Sequence, residues 1–246
     1  MNTNPILVRT ADLAAYAPAN HTGTSNVRVI GPETVGATTL EILVGTIVKS
    51  HGARPHAHPH LEQCAYMMEG TGESQAEGRV EVMEAGSWSY VPAGAFHSFR
   101  VTSDTPGRVL VVYAPPYGEN ASQTITEPDP AVSASGKVRV LAGDEVTAAK
   151  GALIDRDTVG AQWVEIEPLR MRDGNPVACA ARSDAEQVLY LEEGHVEARA
   201  GKQDFHLAPG DFLFLPCGAG VALHCPTGRR ASGFLIKGRL PSSSSL

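Results

Sequence analysis

Residues 62–70 read EQCAYMMEG, and residues 186–194 read EQVLYLEEG. The two stretches share Glu, Gln, Tyr, Glu and Gly at a constant offset of 124 residues. The same offset relates AGSWSYVPAG (85–94) to PGDFLFLPCG (209–218), where a glycine, a proline and a second glycine keep their positions. One offset that holds across both blocks without a gap indicates an internal duplication.

Both halves of the repeat are patterned for β-structure. Their apolar residues form short runs or alternate with polar residues, and glycine and proline stand between the runs. No segment keeps a helical period, apart from a weak one at 10–16. Short strands at this spacing predict an all-β protein built from sandwiches or barrels. The runs are 40–48, 65–70, 79–94 and 108–115 in the first half, and 161–169, 187–200, 204–218 and 231–238 in the second.

The duplication divides the chain into two domains. We predict an N-terminal barrel over residues 1–118 and a C-terminal barrel over residues 138–246. Residues 119–137 are polar and rich in Pro, Ser and Ala, which is typical of a connector between domains. We therefore expect two tandem barrels joined by a linker.

The composition limits the classes of partner. Hydrophobic residues make up 42% of the 246 residues, which is enough to bury a core, and charged residues make up 19%. The net charge of −7 argues against binding to nucleic acid or to an anionic membrane surface. No apolar run approaches the ~18 residues of a membrane span, and the N-terminal stretch lacks the pattern of an export signal. We expect a cytoplasmic protein whose partner is a small molecule.

Residues 51–63, HGARPHAHPHLEQ, contain a candidate metal site. His56 and His58 are two residues apart, so on a strand both imidazoles face the same side. Gln63 begins the next strand, and His97 follows 34 residues later, after a Pro-x-Gly turn. Three imidazoles and an amide oxygen leave open positions on an octahedral or five-coordinate ion. Ligands without thiolate predict one divalent transition metal per chain, with Mn, Fe, Co, Ni and Zn all compatible.

The spacing of these residues resembles that of the cupin superfamily. The first cupin motif, an HxH followed by Glu or Gln and then by Gly, corresponds to His56, His58, Gln63 and Gly70. The second, a Gly followed by Pro-x-Gly and then by His, corresponds to Gly86, Pro92, Gly94 and His97. This resemblance implies two jelly-roll barrels of the double-stranded β-helix type, a bicupin. Gln63 in place of the more common Glu lowers the negative charge of the site by one and favours an anionic substrate.

Residues beside the four predicted ligands are candidates for other roles. Glu62 could replace Gln63 as the ligand, although the spacing to Gly70 favours Gln63. Glu62 and His60 are the nearest candidates for catalytic proton transfer, and orientation of the ligands is the alternative role. If strand alternation points them inward, Tyr66, Met68, Trp88 and Phe99 would line the substrate pocket. His21, His51 and His195 are expected in solvated loops.

The second half lacks the equivalent ligands. The offset of 124 places Ala180, Arg182 and Val221 where the first half has His56, His58 and His97, and only Gln187 is retained. Ala and Val bind no metal, and Arg repels one. The C-terminal barrel is therefore predicted to have lost the metal site. Glu186, Arg182, Tyr190 and His224 could form a polar pocket there, but a fully paired core is the favoured interpretation.

The layout of the whole chain resembles the (S)-ureidoglycine aminohydrolase family. The similar stretches are VGATTLEILVGTI (35–47) and VLVVYAPPYGENAS (109–122). The resemblance implies a manganese-dependent hydrolase that releases ammonia from ureidoglycine in allantoin catabolism. That family binds its metal in the C-terminal cupin, through a Glu, two His and a Gln, and this chain has no such set there. The resemblance therefore supports the architecture more than the substrate.

Three classes of function follow from these observations. The first is a metal-dependent hydrolase that acts on a C–N bond of a small, ureide-like substrate. The second is a cupin dioxygenase or decarboxylase that uses Fe or Mn, and the third is a non-catalytic binding protein. Cupin barrels present sheet edges and apolar outer faces, so we also expect a homodimer or a larger even oligomer.

Overall fold

A computed structural model describes residues 4–172 and 176–240. The fold is almost entirely antiparallel β-structure, which confirms the predicted fold class. The single α-helix of the described residues, α1 (Gly143–Ala148), lies between the two halves. Short 3-10 helices span Thr10–Asp12 and Ala121–Gln123. No helix in the described part of the chain is long and apolar enough to cross a membrane.

The strands of the first half form one large sheet that closes into the N-terminal barrel. The first half contains the strands β1 (Ile6–Arg9), β2 (Ala15–Tyr16), β3 (His21–Ile30), β4 (Glu41–His56), β5 (Glu62–Glu69), β6 (Thr71–Ala76), β7 (Arg79–Glu84), β8 (Trp88–Val91), β9 (His97–Val101) and β10 (Gly107–Ala114). All of them except β1 belong to this sheet, which also includes β11 (Arg139–Leu141) of the second half. Its strand order is β11-β8-β5-β10-β4-β9-β6-β7, with β3 paired to β4 and β2 paired to β3.

The second half forms the other barrel from two sheets. The second half contributes the strands β12 (Val164–Arg172), β13 (Val177–Cys179), β14 (Ala185–Glu193), β15 (Val196–Ala200), β16 (Gln203–Leu207), β17 (Asp211–Leu215), β18 (Val221–His224) and β19 (Arg230–Arg239). The strand orders of the two sheets are β1-β17-β14-β19-β12 and β13-β18-β15-β16.

Each half contributes one strand to the sheet of the other. The N-terminal strand β1 pairs with β17 of the second barrel. In return, β11 pairs with β8 of the first barrel. The sheets therefore cross the predicted domain boundaries at both ends. The linker also packs on the first barrel, where Ile125 forms a backbone bridge with Ala57.

The glycines repeated at the offset of 124 occupy equivalent turns. Gly70 and Gly194 have φ angles of +86° and +81°, and Gly94 and Gly218 have φ angles of +80° and +84°. These angles lie in the left-handed region, which glycine adopts without the steric cost that a Cβ imposes. The backbone conformation explains why glycine stands at these positions in both halves.

The largest apolar cluster lies between the barrels, not inside either one. It joins residues of the first half, such as Trp88 and Tyr90, to residues of the second half, such as Phe212 and Phe234. Tyr66 and Met68 pack in the same cluster. The prediction that Tyr66, Met68 and Trp88 line the substrate pocket is therefore wrong, because strand alternation turns them toward the partner barrel.

Two buried glutamates connect the barrels reciprocally. Glu62 of β5 accepts hydrogen bonds from the backbone N–H groups of Gln162, Trp163 and Val164, just before and at the start of β12 (2.7, 2.9 and 3.2 Å). Glu186, at the equivalent position of the second barrel, accepts from the backbone N–H groups and hydroxyls of Thr38 and Thr39, just before β4.

The connections made by Glu62 and Glu186 are related by the same 124-residue offset as the internal repeat. Thr38 and Thr39 stand 124 residues before Gln162 and Trp163, as Glu62 stands before Glu186. Each barrel thus uses the same carboxylate to hold the strand that enters the other barrel. Satisfied buried carboxylates of this kind fix the relative position of the elements that they join.

The self-association expected from the sequence stays a prediction. The edge strand β7 carries Val80 and Val82, each 57% exposed, which is consistent with a covered edge in an oligomer.

Candidate metal centre

Three histidines meet at one end of the N-terminal barrel. His56 ends β4 and stands opposite His97, which begins β9, in the antiparallel pair of these strands. His58 follows two residues after His56, and its ring centroid lies 4.8 Å from that of His56. The candidate ligand nitrogens of the three residues all lie within 4.8 Å of one another. All three side chains are buried.

The hydrogen bonds of the rings fix which nitrogen is free. Nδ1 of His56 lies 2.7 Å from the carbonyl oxygen of Arg54, and Nδ1 of His97 lies 3.0 Å from that of Ala95. Nδ1 of His58 lies 3.0 Å from the carbonyl oxygen of Gln123 in the linker. Because a carbonyl only accepts, each Nδ1 carries the proton, and each Nε2 keeps its lone pair.

These contacts meet the requirements of a metal site. A histidine ligand commonly donates its second ring nitrogen to a backbone carbonyl, which orients the ring and fixes the tautomer. Nε2 of His58 is buried and has no hydrogen-bond partner among the described residues. A buried polar atom without a partner is costly unless another group, such as a cation, satisfies it. The residues therefore fit a divalent transition metal.

Burial keeps the three imidazoles neutral. Desolvation, together with a smaller effect of the neighbouring His56, lowers the pKa of His58 to about 4. Desolvation also lowers the pKa of His56 and brings that of His97 well below its ordinary value. Neutral imidazole is the form that binds a metal, so protons compete little with the ion at neutral pH.

Gln63 joins the histidines, whereas Glu62 does not. Oε1 of Gln63 lies 3.3 Å from Nε2 of His97. Glu62 is adjacent on β5, so its side chain faces the opposite side and accepts four hydrogen bonds at the contact with the second barrel, one of them from Tyr90. This position supports neither the expected role of Glu62 in proton transfer nor the alternative that Glu62 replaces Gln63 as ligand.

His60 lies apart from the cluster. It is exposed in the turn between β4 and β5. The structure gives it no contact with the three buried histidines, and its expected catalytic role is not supported by its position.

His21, which the sequence placed in a solvated loop, is instead a neighbour of the cluster. It begins β3 and pairs with Ala53 of β4. Its ring centroid lies 6.4 Å from that of His56. The register of β3 on β4 brings it there, and no periodic signal near residue 21 predicts that register.

A cavity of about 50 Å³ lies next to the cluster, inside the barrel. This volume admits only a small molecule. Apart from the predicted ligands and His21, the wall is apolar or carries hydroxyl groups. Phe99 is the one residue of the predicted substrate pocket that belongs to it. The lining residues are His21, Ile47, Ala53, His56, Gln63, Ala65, Ser74, Ser89, Val91, His97, Ser98, Phe99, Val109, Val111 and Tyr113.

The second barrel fills the corresponding space with larger apolar side chains. Leu189 and Leu213 stand where the first barrel has Ala65 and Ser89. Both leucines belong to the apolar cluster of the second barrel, together with Val221 at the position equivalent to His97. The same fold thus packs a solid core in one half and leaves a cavity in the other.

The polar residues considered for a second pocket are otherwise engaged. Glu186 holds Thr38 and Thr39, and Tyr190 packs in the cluster between the barrels. Arg182 pairs with Asp184, and His224 is exposed beside Glu197. These contacts agree with the favoured interpretation, in which the second barrel has a paired core and no polar pocket formed by these residues.

The lowered pKa of His58 predicts a pH-dependent stability of the metal-free protein. Between pH 6.5 and about 4, the unfolded chain binds a proton at His58 that the folded chain does not. The contribution of His58 is therefore complete above pH 6.5 and is lost as the pH falls through this window. From pH 6.5 to pH 5, the unfolding free energy of the wild type should fall by about 2 kcal/mol more than that of His58→Gln.

Urea unfolding at the two pH values measures this difference. His60→Gln is the control, and it should keep the pH dependence of the wild type. Equal pH dependence in the wild type and in His58→Gln would contradict the prediction.

Comparison with known proteins agrees with this architecture. Residues 43–113 match the family model of the cupin domain. A Streptomyces cyaneus protein named polyketide synthase CurC is 26% identical over 139 residues, 56% of this chain and 89% of that protein. An uncharacterized Aquifex aeolicus protein is 32% identical over 63 residues, 26% of this chain, and the match spans about half (51%) of that protein.

Solved structures share the fold over nearly the whole chain. A Pseudomonas aeruginosa protein described as glyoxylate-induced has a TM-score of 0.78 at 15% identity, covering 99% of this chain and 93% of its own. Protein Ylba of E. coli has a TM-score of 0.77 at 13% identity, covering 98% and 93%. Oxalate decarboxylase of Bacillus subtilis has a TM-score of 0.70 at 12% identity, covering 96% and 76%. Residues 43–113 therefore match a cupin domain, and the chain shares the fold of these solved structures over nearly its whole length.

Proposed function

We propose that this protein is a single-site metal-dependent enzyme that acts on a small anionic substrate. His56, His58, His97 and Gln63 would hold one divalent transition metal at the cavity of the N-terminal barrel. The observation that carries the proposal is the set of three buried imidazoles whose Nδ1 atoms are hydrogen-bonded to carbonyls, so that each Nε2 is free to bind a metal. A bound divalent ion supplies Lewis-acid chemistry: it polarises a ligated oxygen and stabilises negative charge as a bond breaks.

The electrostatics of the cavity favour an anion. All four proposed ligands are neutral, and the described residues that line the cavity include no Asp, Glu, Lys or Arg. The charge of a divalent cation would therefore meet no protein anion there. A substrate carboxylate or a similar anion would balance it, which makes binding of an anion more favourable in this low-dielectric interior.

Manganese is the metal that we propose first. The ligand set of imidazole nitrogen and amide oxygen, without thiolate, suits Mn as well as Fe, Co, Ni and Zn. The oxalate decarboxylase of Bacillus subtilis, which shares the fold, contains Mn(II) centres.

We propose hydrolysis of a C–N bond in a small ureide, with release of ammonia, as the reaction. The support is the similarity of the chain layout to the ureidoglycine aminohydrolase family, together with the whole-chain structural likeness to a glyoxylate-induced protein. Such a reaction needs a proton for the leaving nitrogen. With Glu62 engaged between the barrels, the groups of the cavity wall that can carry this proton are His21 and the hydroxyls.

The reaction is tested by ammonia release. Manganese-loaded protein supplied with (S)-ureidoglycine should release ammonia faster than the uncatalysed background, and His97→Ala treated in the same way should not. A coupled ammonia assay measures the difference. Equal rates for the two proteins would contradict ureide hydrolysis.

A second candidate is a cupin dioxygenase or decarboxylase. It is favoured by the structural likeness to oxalate decarboxylase and by the sequence similarity to the protein named polyketide synthase CurC. Oxygen uptake on an aromatic or diketone substrate by the iron-loaded protein, without ammonia release from ureidoglycine, would assign the protein to this class. Loaded protein that binds small acids without turnover would instead be a binding protein.

A further inference from the structure

We propose that the hydroxyls of Ser74, Ser89 and Tyr113 orient the substrate by donating hydrogen bonds to an uncharged oxygen. The substrate class is then a small monocarboxylic acid that carries a carbonyl or hydroxyl oxygen near its carboxylate. This inference rests on the proposed function, because it assumes that the carboxylate is bound by the metal.

The three hydroxyl residues come from three different strands around the cavity. Tyr113 of β10 stands opposite the proposed ligand Gln63 in the pair with β5. Ser89 of β8 stands opposite Ala65 of the same strand β5. Ser74 lies on β6, and all three side chains line the cavity. They therefore face the same small space as the predicted ligands.

The three residues are buried, and their hydroxyls make no hydrogen bond to any described protein group but are accessible from the cavity. Tyr113, Ser74 and Ser89 are 5%, 8% and 4% exposed. Most other buried tyrosine hydroxyls of the first barrel have a partner: that of Tyr90 donates to Glu62, and that of Tyr66 donates to Glu192. Because no protein group uses them, the three hydroxyls on the cavity wall are free to donate to a molecule bound in the cavity.

The second barrel provides an internal comparison. At the positions equivalent to Ser74, Ser89 and Tyr113 it has Ala198, Leu213 and Lys237. Ala198 and Leu213 are part of its apolar core, and Lys237 is paired with Glu165. The cupin barrel of this chain therefore folds without hydroxyls at these positions. Their presence only in the barrel with the histidine cluster points to a role in the site.

The type of donor restricts the far end of the substrate. Serine and tyrosine hydroxyls donate to a neutral oxygen but bring no positive charge. A second carboxylate beyond reach of the metal would be buried without a cation, which is costly. A hydroxy or oxo acid satisfies both ends of the cavity, because its carboxylate balances the metal and its second oxygen accepts from the hydroxyls.

The test compares two acids that differ by one hydroxyl, glycolate and acetate. Cobalt-loaded protein is titrated with each acid, and the visible absorption of the bound cobalt reports binding. The wild type should bind glycolate more tightly than acetate by about tenfold or more. Tyr113→Phe and Ser89→Ala should each lower this ratio by about fivefold, mainly by weakening glycolate binding.

Matched substitutions outside the cavity control for general effects. Ser87→Ala changes another buried serine two residues from Ser89, and Tyr190→Phe changes a buried tyrosine of the second barrel. Both should keep the wild-type ratio. An unchanged ratio in Tyr113→Phe and Ser89→Ala, with acids still binding, would overturn the orienting role alone. If neither acid changes the cobalt spectrum of the wild type, the proposed function fails and this inference fails with it.

Discussion

Replacing His97 with alanine is expected to abolish tight metal binding. His97 is buried at the start of β9, and its Nε2 lies beside both the other imidazoles and the amide of Gln63. Groups that merely orient a ligand contribute about 10–100-fold to metal affinity, so loss of a ligand itself should cost more than ~100-fold. His56→Ala should have an effect of the same size. Competition with a chelator of known affinity measures the loss.

The control for this experiment is a histidine of the same segment. His60→Ala removes an exposed imidazole that lies four residues after His56 in the chain. It should bind metal as the wild type does. Wild-type affinity in His97→Ala, or a comparable loss in His60→Ala, would show that the cluster is not the site. Circular dichroism of each variant verifies that the barrels are folded.

Replacing Glu62 with glutamine is expected to destabilise the whole chain by about 3 kcal/mol. Glu62 is 1% exposed, and all four groups that its carboxylate contacts by hydrogen bonds are donors. The amide of glutamine places an N–H₂ group against some of those donors, and a hydrogen bond to a charged group contributes about 1.5–3 kcal/mol. Glu186→Gln should behave similarly, because the second carboxylate accepts from Thr38 and Thr39. For a chain of this size, the midpoint of thermal unfolding should fall by about 6–12 °C.

The matched control is Glu69→Gln on the same strand as Glu62. The side chain of Glu69 is 59% exposed and pairs with Arg108. Exposed ion pairs contribute about 0–1 kcal/mol, so this variant should unfold within a few degrees of the wild type. Stability of Glu62→Gln equal to that of Glu69→Gln would contradict the role of the buried carboxylates.

The sequence predicted the barrels and the histidine cluster because both depend on fixed local spacings. Two histidines at i and i+2 must share a face of a strand, and the Pro-x-Gly turn before His97 brings the next strand alongside. The same local rule failed at Tyr66, Met68 and Trp88, because alternation divides a strand between two buried faces. Apolar residues on both faces give no signal about which face borders the cavity and which borders the second barrel.

The remaining features depend on long-range contacts that have no local pattern. The sequence could not assign Glu62, because its partners, the backbone groups of 162–164, lie about 100 residues away. Likewise, the linker supplies the carbonyl of Gln123 that orients His58, although its composition indicates only a connector. His21 reaches the cluster through the register of β3 on β4. Predicting any of these three contacts requires knowing how elements that are distant in the chain are placed in space.

The metal content of the purified protein tests the central claim most directly. The protein is prepared without a metal-binding tag, loaded with manganese, freed of excess metal by gel filtration and submitted to elemental analysis. We expect one ion per chain in the wild type and in Gln187→Ala, and none in His97→Ala. About two ions per chain, or one ion that persists in His97→Ala, would contradict a single metal site in the N-terminal barrel.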